Sequence, residues 1–293
     1  MKNYNKVLAA GLLLAALGCN QAPKFVELES GLKFRKLEEG DTTRAQQGDL
    51  MNLVMTHTAG DSILFDSGSE MGLYLNPMTS LPENLSEALL LCGIGDSVQI
   101  QMTYPEYASL TGRPLMPADS ALVVNWNIRI REIDSETAVV ERLQAEQTAK
   151  DQAIIDEYLV NNNLEAEKTE EGIAVVTLEA GNGEYPQKGD RVKVDYVVRL
   201  LDGTLIDTSD EELAKANNIY SPQRQGGYVP YAFTLGNREV IQGWDLGIPK
   251  VDKGGKAKLL VPSQMAYGAR NNGGPIPPNS VLIFDIEVVD FER

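Results

Sequence analysis

The residues best suited to build a site lie in the stretch 231–251, YAFTLGNREVIQGWDLGIPKV. It carries no catalytic nucleophile, no cluster of metal ligands and no phosphate-binding loop. An apolar strand ends at Gly236-Asn237, and beyond it Ile241, Trp244, Ile248 and Val251 recur at helical spacing. Gly243, Gly247 and Pro249 keep any helix there short. Such residues act through shape and dryness. The stretch reads as the floor of a hydrophobic cavity, and the cavity itself must do the chemistry.

The elements that position this floor belong to a repeat. Residues 30–49, SGLKFRKLEEGDTTRAQQGD, correspond to 171–190, EGIAVVTLEAGNGEYPQKGD, at a fixed offset of 141. The copies also end alike: 117–128, PADSALVVNWNI, corresponds to 277–288, PPNSVLIFDIEV, at an offset of 160. The second copy therefore holds a net insertion, and most of it falls near 210–230, EELAKANNIYSPQRQGGYVPY. Within each copy the apolar period is two. Val192, Val194, Tyr196, Val198 and Leu200 alternate with more polar neighbours, as do Leu282, Phe284, Ile286 and Val288, and Leu122, Val124, Trp126, Ile128 and Ile130. Strands separated by Gly- and Asp-rich turns, with one short helix per copy, predict an antiparallel α+β fold.

Between the copies, 136–160 reads as a helix, with Val140, Leu143, Gln147, Ile154 and Tyr158 as its weak apolar stripe and Asn161-Asn162-Asn163 as its stop. A helix bridging two domains is the preferred reading; a dimerising helix is the other. The expected organisation is a signal peptide at 1–18, a tether at 19–29, a first domain at 30–134, a helical linker at 135–167 and a second domain at 168–293.

A chain of 293 residues has room for two such domains. Its net charge of −16 argues against nucleic-acid binding through a basic surface. Lys2 and Lys6 precede the apolar run Val7 to Leu17, too short for a stable transmembrane helix and suited to a targeting signal. Gly18-Cys19 directly follows, and this pattern resembles the bacterial lipobox, which implies lipidation of Cys19, a membrane anchor and a place in the cell envelope. Asn20 favours the outer membrane, facing the periplasm. Only Cys92 then remains, inside the apolar run EALLLCGIG, and it reads as a buried hydrophobe without a disulfide partner.

The second copy resembles a known family. The blocks VDYVVRLLDGTLIDTS (194–209), FTLGNREVIQGWDLGIPKV (233–251), KAKLLVPSQMAYG (256–268) and PIPPNSVLIFDIEV (275–288) are similar, in order, to FKBP-type peptidyl-prolyl cis–trans isomerases. The likeness covers about 168–293, and the first copy shows the same outline more weakly. It implies two FKBP-like domains, each a twisted antiparallel sheet wrapped on a short helix. It also implies that extended or unfolded proline-containing polypeptides are the partners and that no cofactor is needed.

By this resemblance Trp244 is the floor beneath the proline ring, with Tyr196, Phe284 and Phe233 as walls. Tyr231, Val240, Ile241 and Ile276 complete the lining. The Ile241 amide and the Tyr267 hydroxyl would hold ligand carbonyls, and Asp207 would be the buried acid beside the rotating amide. Ile206 stands where the family usually has Phe. The 210–230 insertion enters beside the mouth as a lid, a selecting flap or a plain loop, and within it Arg224 is a candidate partner for Asp207. A non-catalytic chaperone or peptide-binding module is the alternative function.

In the first copy, Phe65-Asp66 is expected to keep the acid corner, while Leu85 replaces Trp244. Val124 is expected to replace Phe284, and Ala108 or Ser109 to replace Tyr267. That copy reads as a scaffold without a pocket, inactive as an isomerase. His57, the sole histidine, is assigned a surface or capping role rather than a metal site.

Overall fold

A computed structural model describes residues 23–68, 72–114, 121–270 and 273–293. The proposed signal peptide, Cys19 and the start of the tether lie outside the described residues. The chain divides into two compact units, Met1–Val140 and Glu141–Arg293.

The first unit contains β1 (Val26–Glu27), β2 (Lys33–Glu38), β3 (Asp49–Ala59), β4 (Ser62–Asp66), β5 (Leu73–Leu75), α1 (Glu83–Leu90), β6 (Ser97–Thr103), α2 (Tyr104–Thr111) and β7 (Val123–Ser135). Helix α3 (Glu136–Asn161) follows. The second unit continues with β8 (Glu167–Lys168), β9 (Ala174–Glu179), β10 (Arg191–Leu200), β11 (Leu205–Thr208), α4 (Glu211–Ala216), β12 (Tyr231–Thr234), α5 (Gln242–Gly247), β13 (Lys256–Val261) and β14 (Leu282–Glu292).

The repeat is realised strand for strand. The first sheet runs β1-β2-β6-β7-β3-β4 with β5 paired to β3, and the second runs β8-β9-β13-β14-β10-β11 with β12 paired to β10. All pairings are antiparallel. Bulges recur at equivalent places, between Asn52 and Leu53 on β3 and between Lys193 and Val194 on β10. This is the α+β architecture expected.

The alternating strands bury one face against a short helix. In the first unit Leu85 and Leu89 of α1 join Met51, Leu53, Val98, Ile100, Ile128 and Ile130. In the second, Trp244 of α5 joins Val192, Val194, Leu259, Val261, Phe284 and Ile286. Gly243 lets α5 lie close to β13, because a Cβ there would sit 2.4 Å from Val261 Cγ1. A second matched pair ties each sheet to its loops. A Cβ at Gly40 would lie 2.0 Å from the Ile94 carbonyl oxygen, and one at Gly181 would lie 2.2 Å from that of Lys253. Beside them, Asp96 accepts from the Gly40 and Gly93 amides, and Asp252 accepts from those of Gly181 and Gly183.

Several expectations change. The tether ends earlier than residue 29, since Val26 already pairs with Phe34. Two further helices exist. Helix α2 begins with a capping box, Thr103 accepting from the Glu106 amide while Glu106 accepts from Thr103, and ends on left-handed Gly112. Helix α4 starts where the Asp210 carboxylate caps the Leu213 amide at 3.0 Å.

Helix α3 is not a detached linker. Its Ile155 and Leu159 pack on Ala174, Val176, Leu260 and Val281, the face of the second sheet opposite α5. Its buried side is also rotated by one residue from the expected stripe. Val139, Asp151, Ile155 and Leu159 are buried, whereas Val140, Leu143 and Ile154 are exposed. Asp151 breaks the apolar pattern on the true inner face, which hides that face from periodicity alone.

Candidate active site

The second unit draws its candidate side chains from six places, one of them the segment between β13 and β14 that carries Tyr267 and Ile276. Tyr196 lies on β10 opposite Ile286, and Phe284 on β14 opposite Val198. Tyr231 and Phe233 lie on β12, opposite Val194 and Val192. Ile206 and Asp207 are on β11, Val240 and Ile241 lead into α5, and Trp244 is inside it. The two-residue strand period puts Tyr196, Val198 and Val194 on one face of β10, the face that α5 covers.

Trp244 is the hub. The rings of Tyr196, Phe284 and Tyr231 stand edge-on to it, with centroids at 5.2, 5.5 and 6.4 Å and interplanar angles of 74°, 77° and 71°. Phe233 tilts at 42° and 5.7 Å. Edge-to-face pairs of this kind contribute ~0.5–1.5 kcal/mol each beyond burial. Trp244, Phe233 and Phe284 are almost wholly buried, while Tyr231 and Tyr267 remain exposed at 45% and 42%, as a floor and a rim should. Ile206, Val240, Ile241 and Ile276 pack partly buried against the same cluster. The structure thus gathers Tyr196, Trp244, Phe284, Ile206, Phe233, Val240, Ile241 and Ile276 into one cluster and sets Tyr231 against it. The indole Nε1 of Trp244 is buried with no hydrogen-bond partner among the described residues.

A polar corner adjoins the rings. The Tyr196 hydroxyl donates to Asp207 Oδ2 at 2.6 Å. Arg224 donates from Nη1 to Asp207 Oδ1 at 2.5 Å and from Nη2 to the Tyr196 hydroxyl at 2.6 Å. The Thr208 amide also donates to Asp207 Oδ1, at 2.8 Å. Burial opposes ionisation of Asp207, but these bonds outweigh it and hold the carboxyl below the usual range. Burial, then the bond to Asp207, pushes the Tyr196 hydroxyl well above its ordinary value. Burial likewise raises Tyr267, with the Asp207 charge as a second cause, so Tyr267 shares the field of this corner.

The insertion delivers Arg224. Tyr220 and Tyr228 stack at 5.4 Å and 19°, the Ser221 amide donates to the Tyr228 hydroxyl, and the Arg224 guanidinium lies 4.9 Å from the Tyr228 ring centroid. Residues 210–230 therefore form an ordered clasp around the acid's counter-charge. Sequence reasoning named Arg224 as a candidate and missed Tyr220 and Tyr228. Two tyrosines flanking an Arg beside Gly226-Gly227 are the available signal.

Comparisons with known proteins agree with this geometry. The sequence model described as FKBP-type peptidyl-prolyl cis-trans isomerase matches residues 182–289. The Drosophila melanogaster protein "Peptidyl-prolyl cis-trans isomerase Fkbp12" is 38% identical over 122 residues, which span 41% of this chain and 99% of that protein. The chain belongs to the FKBP-type peptidyl-prolyl cis-trans isomerase family. An "FK506-binding protein" of Neisseria meningitidis serogroup B is also 38% identical, over 40% of this chain and 94% of its own. Among solved structures, FkpA from Escherichia coli is 32% identical, with 54% of this chain and 68% of that one covered and a TM-score of 0.38. Family membership rests on the sequence matches.

The first unit repeats the second unit's strand scaffold, and strand register corrects how its residues correspond. His57 and Val198 occupy equivalent places, each just before a bulge. Opposite them stand Phe65 and Asp207 on the neighbouring edge strand, and Trp126 and Phe284 on the other side. The acid corner is therefore lost rather than kept by Asp66: Phe65 takes the acid's place and Met55 that of Tyr196. Trp126, not Val124, stands at the Phe284 position. Asp66 instead accepts from the Gly68 amide at 2.8 Å.

Nor is this corner poor in aromatic rings. His57 is 5% exposed, stacks on Trp126 at 3.8 Å and 22°, lies 4.8 Å from Phe65, and approaches the Tyr107 hydroxyl through Nδ1 at 3.3 Å. The histidine is a packed core group, not a surface cap. Burial, with Arg113 as a second cause, lowers its pKa to about 4. Cys92 is buried as expected, and its thiol is pushed up to about 12, chiefly by burial.

Proposed function

We propose that the second unit isomerises Xaa-Pro bonds in extended or unfolded protein segments by binding the twisted amide better than either planar form. Rotation about a peptide bond faces a barrier of ~18–20 kcal/mol from amide resonance. Proline lowers the preference for trans, so both isomers are populated, yet uncatalysed exchange takes tens to hundreds of seconds. No covalent bond breaks, so no nucleophile is required. The rate rises only through interactions stronger in the transition state than in the ground state. A twisted amide has lost part of its charge separation, and a dry aromatic cavity suits it better than water does.

The observation that supports this reading is the set of rings standing edge-on to Trp244, bordered by the ionised Asp207. In this mechanism Trp244, Phe233 and Phe284 bind the proline ring. The Ile241 amide and Tyr267 hydroxyl hold the flanking carbonyls, and Tyr231, Val240 and Ile276 close the rim. Asp207 stays charged and orients Tyr196 and the field at the amide, transferring no proton. Ile206 offers a narrower wall than an aromatic residue. The first unit, whose equivalent corner is packed with stacked rings, is non-catalytic on the same reading.

The test is a protease-coupled assay on a peptide of the Ala-Leu-Pro-Phe type. The full chain accelerates exchange, and Asp207→Ala lowers kcat/KM about tenfold, the value of one hydrogen-bonded charge. Unchanged activity in both Asp207→Ala and Trp244→Ala would overturn the site. We also propose that Cys19 is lipidated and anchors the protein in the bacterial envelope, on the outer membrane facing the periplasm. Palmitate labelling that survives Cys19→Ser contradicts the anchor.

A further inference from the structure

The second unit carries a buried carboxylate that the pocket does not touch. Asp151 lies on the inner side of α3 and is fully buried. Its Oδ2 accepts from the Ser263 amide at 2.8 Å and from the Ser263 hydroxyl at 2.6 Å, while Oδ1 accepts from Gln147 Nε2 at 2.7 Å. Ser263 is itself fully buried. A second tie runs nearby, from Gln264 Nε2 to the Gln144 carbonyl at 2.9 Å.

A charge in a dry interface is costly unless its lone pairs are filled, and an apolar residue of similar size would seal α3 to the sheet equally well. Ile155 and Leu159 already do so one and two turns further on. What a carboxylate adds is direction, because its bonds are satisfied only when Ser263 sits in one place. Ser263 opens the single turn Ser263–Met265, and its carbonyl accepts from the amides of Ala266 and Gly268 at 3.0 and 2.8 Å. Met265 and Ala266 pack against the Trp244 cluster. Gly268 in turn accepts from the Asn279 amide at 2.7 Å, beyond Ile276. Tyr267 stands inside this closed circuit.

We infer that Asp151 is a positioning residue of the isomerase pocket: through Ser263 it fixes the 263–268 turn that presents the Tyr267 hydroxyl. The inference rests on the proposed role of Tyr267 in holding a substrate carbonyl. Helix α3 then belongs to the enzyme, although it lies outside residues 182–289, where the family sequence matches.

A double-mutant cycle on the full chain tests it, with kcat and KM read separately on the Ala-Leu-Pro-Phe peptide. Asp151→Ala lowers kcat about tenfold with KM held, the size of one hydrogen bond lost from the transition state. Tyr267→Phe gives a loss of similar size, and the double variant is no slower than Tyr267→Phe alone. Should Asp151→Ala fail to fold, Ser263→Ala serves in its place. It removes only the hydroxyl bond, so its loss is smaller, and it is likewise absorbed by Tyr267→Phe.

A folded variant at 151 or 263 with normal kcat overturns the inference. So does a loss that multiplies in full with that of Tyr267→Phe, which would mark a general structural role. If Tyr267→Phe alone keeps full activity, the assignment of Tyr267 to the pocket fails, and this inference fails with it.

Discussion

The two units place aromatic rings at the same corner of the same scaffold and reach opposite outcomes. In the second, a central indole meets its neighbours edge-on, and rim tyrosines stay exposed beside a charged acid. In the first, an imidazole lies flat on an indole, Tyr107 is buried against both, and Phe65 fills the place of the acid. Aromatic content therefore does not make the site. What separates the corners is the acid. The first unit also has edge-on pairs, Tyr107 meeting His57 at 86° and Trp126 at 82°. It carries Phe65, however, where the second unit has Asp207 bonded to Tyr196 and Arg224. Asp207 enforces the difference, since a carboxylate that must keep Arg224 and Tyr196 as partners cannot let the corner collapse.

The sharpest way to break this comparison is to give the second unit the first unit's floor. Trp244→Leu, the residue found at the equivalent Leu85, keeps α5 packed and lowers kcat/KM about 100-fold, or ~2.7 kcal/mol in the barrier. A variant that folds and retains most of its activity would mean that the scaffold alone suffices.

A smaller effect belongs to the first unit. His57 is neutral in the fold with a pKa near 4, while an unfolded histidine titrates near 6.5. The unfolded chain then binds the extra proton, so the stabilisation is complete above about pH 6.5 and declines as pH falls toward about 4. Between pH 6.5 and 5 the loss is about 2 kcal/mol. Thermal unfolding followed across this range should show the first unit's transition falling faster in the native chain than in His57→Phe. Parallel curves would place the imidazole in water.

The smallest effect tests the corrected register. Asp66→Ala should leave isomerase activity untouched and change stability by no more than about 0.5 kcal/mol, as for an ordinary exposed residue at a strand end. A loss comparable to that of Asp207→Ala would restore Asp66 to an acid corner.

The fold and the clustering of most candidate side chains of the second unit are legible in the sequence. Period-two strands report burial directly, and Trp244, Tyr196, Asp207 and Phe284 sit in blocks whose order is distinctive. The first unit is harder, because fixed offsets cannot see a shortened turn. The turn between β3 and β4 is one residue shorter than that between β10 and β11, while the bulge beside His57 recurs beside Val198, and this moves Phe65 onto the acid's place. The expected match of Val124 to Phe284 is two residues off for a similar reason, because chain ends that look alike do not fix pairing and Trp126 holds that place. His57 went to the surface because a lone polar residue usually does, and only its stack on Trp126 reveals otherwise. Helix α3 was placed one residue out of phase because Asp151 counts as polar until Ser263 is seen to satisfy it.

The clasp at 210–230 bears on how such a site can change over time. The acid and its counter-charge are joined by a segment with its own helix and its own stacked pair, closed by the Ser221–Tyr228 and Arg224–Gly227 bonds. Doubling the length of a flexible loop costs only about 0.6 kcal/mol in closure entropy. The ion pair can therefore persist while the chain between its partners is lengthened, shortened or redecorated. Changes within the clasp leave the members of the Trp244 cluster in place, since none of them lies in residues 210–230.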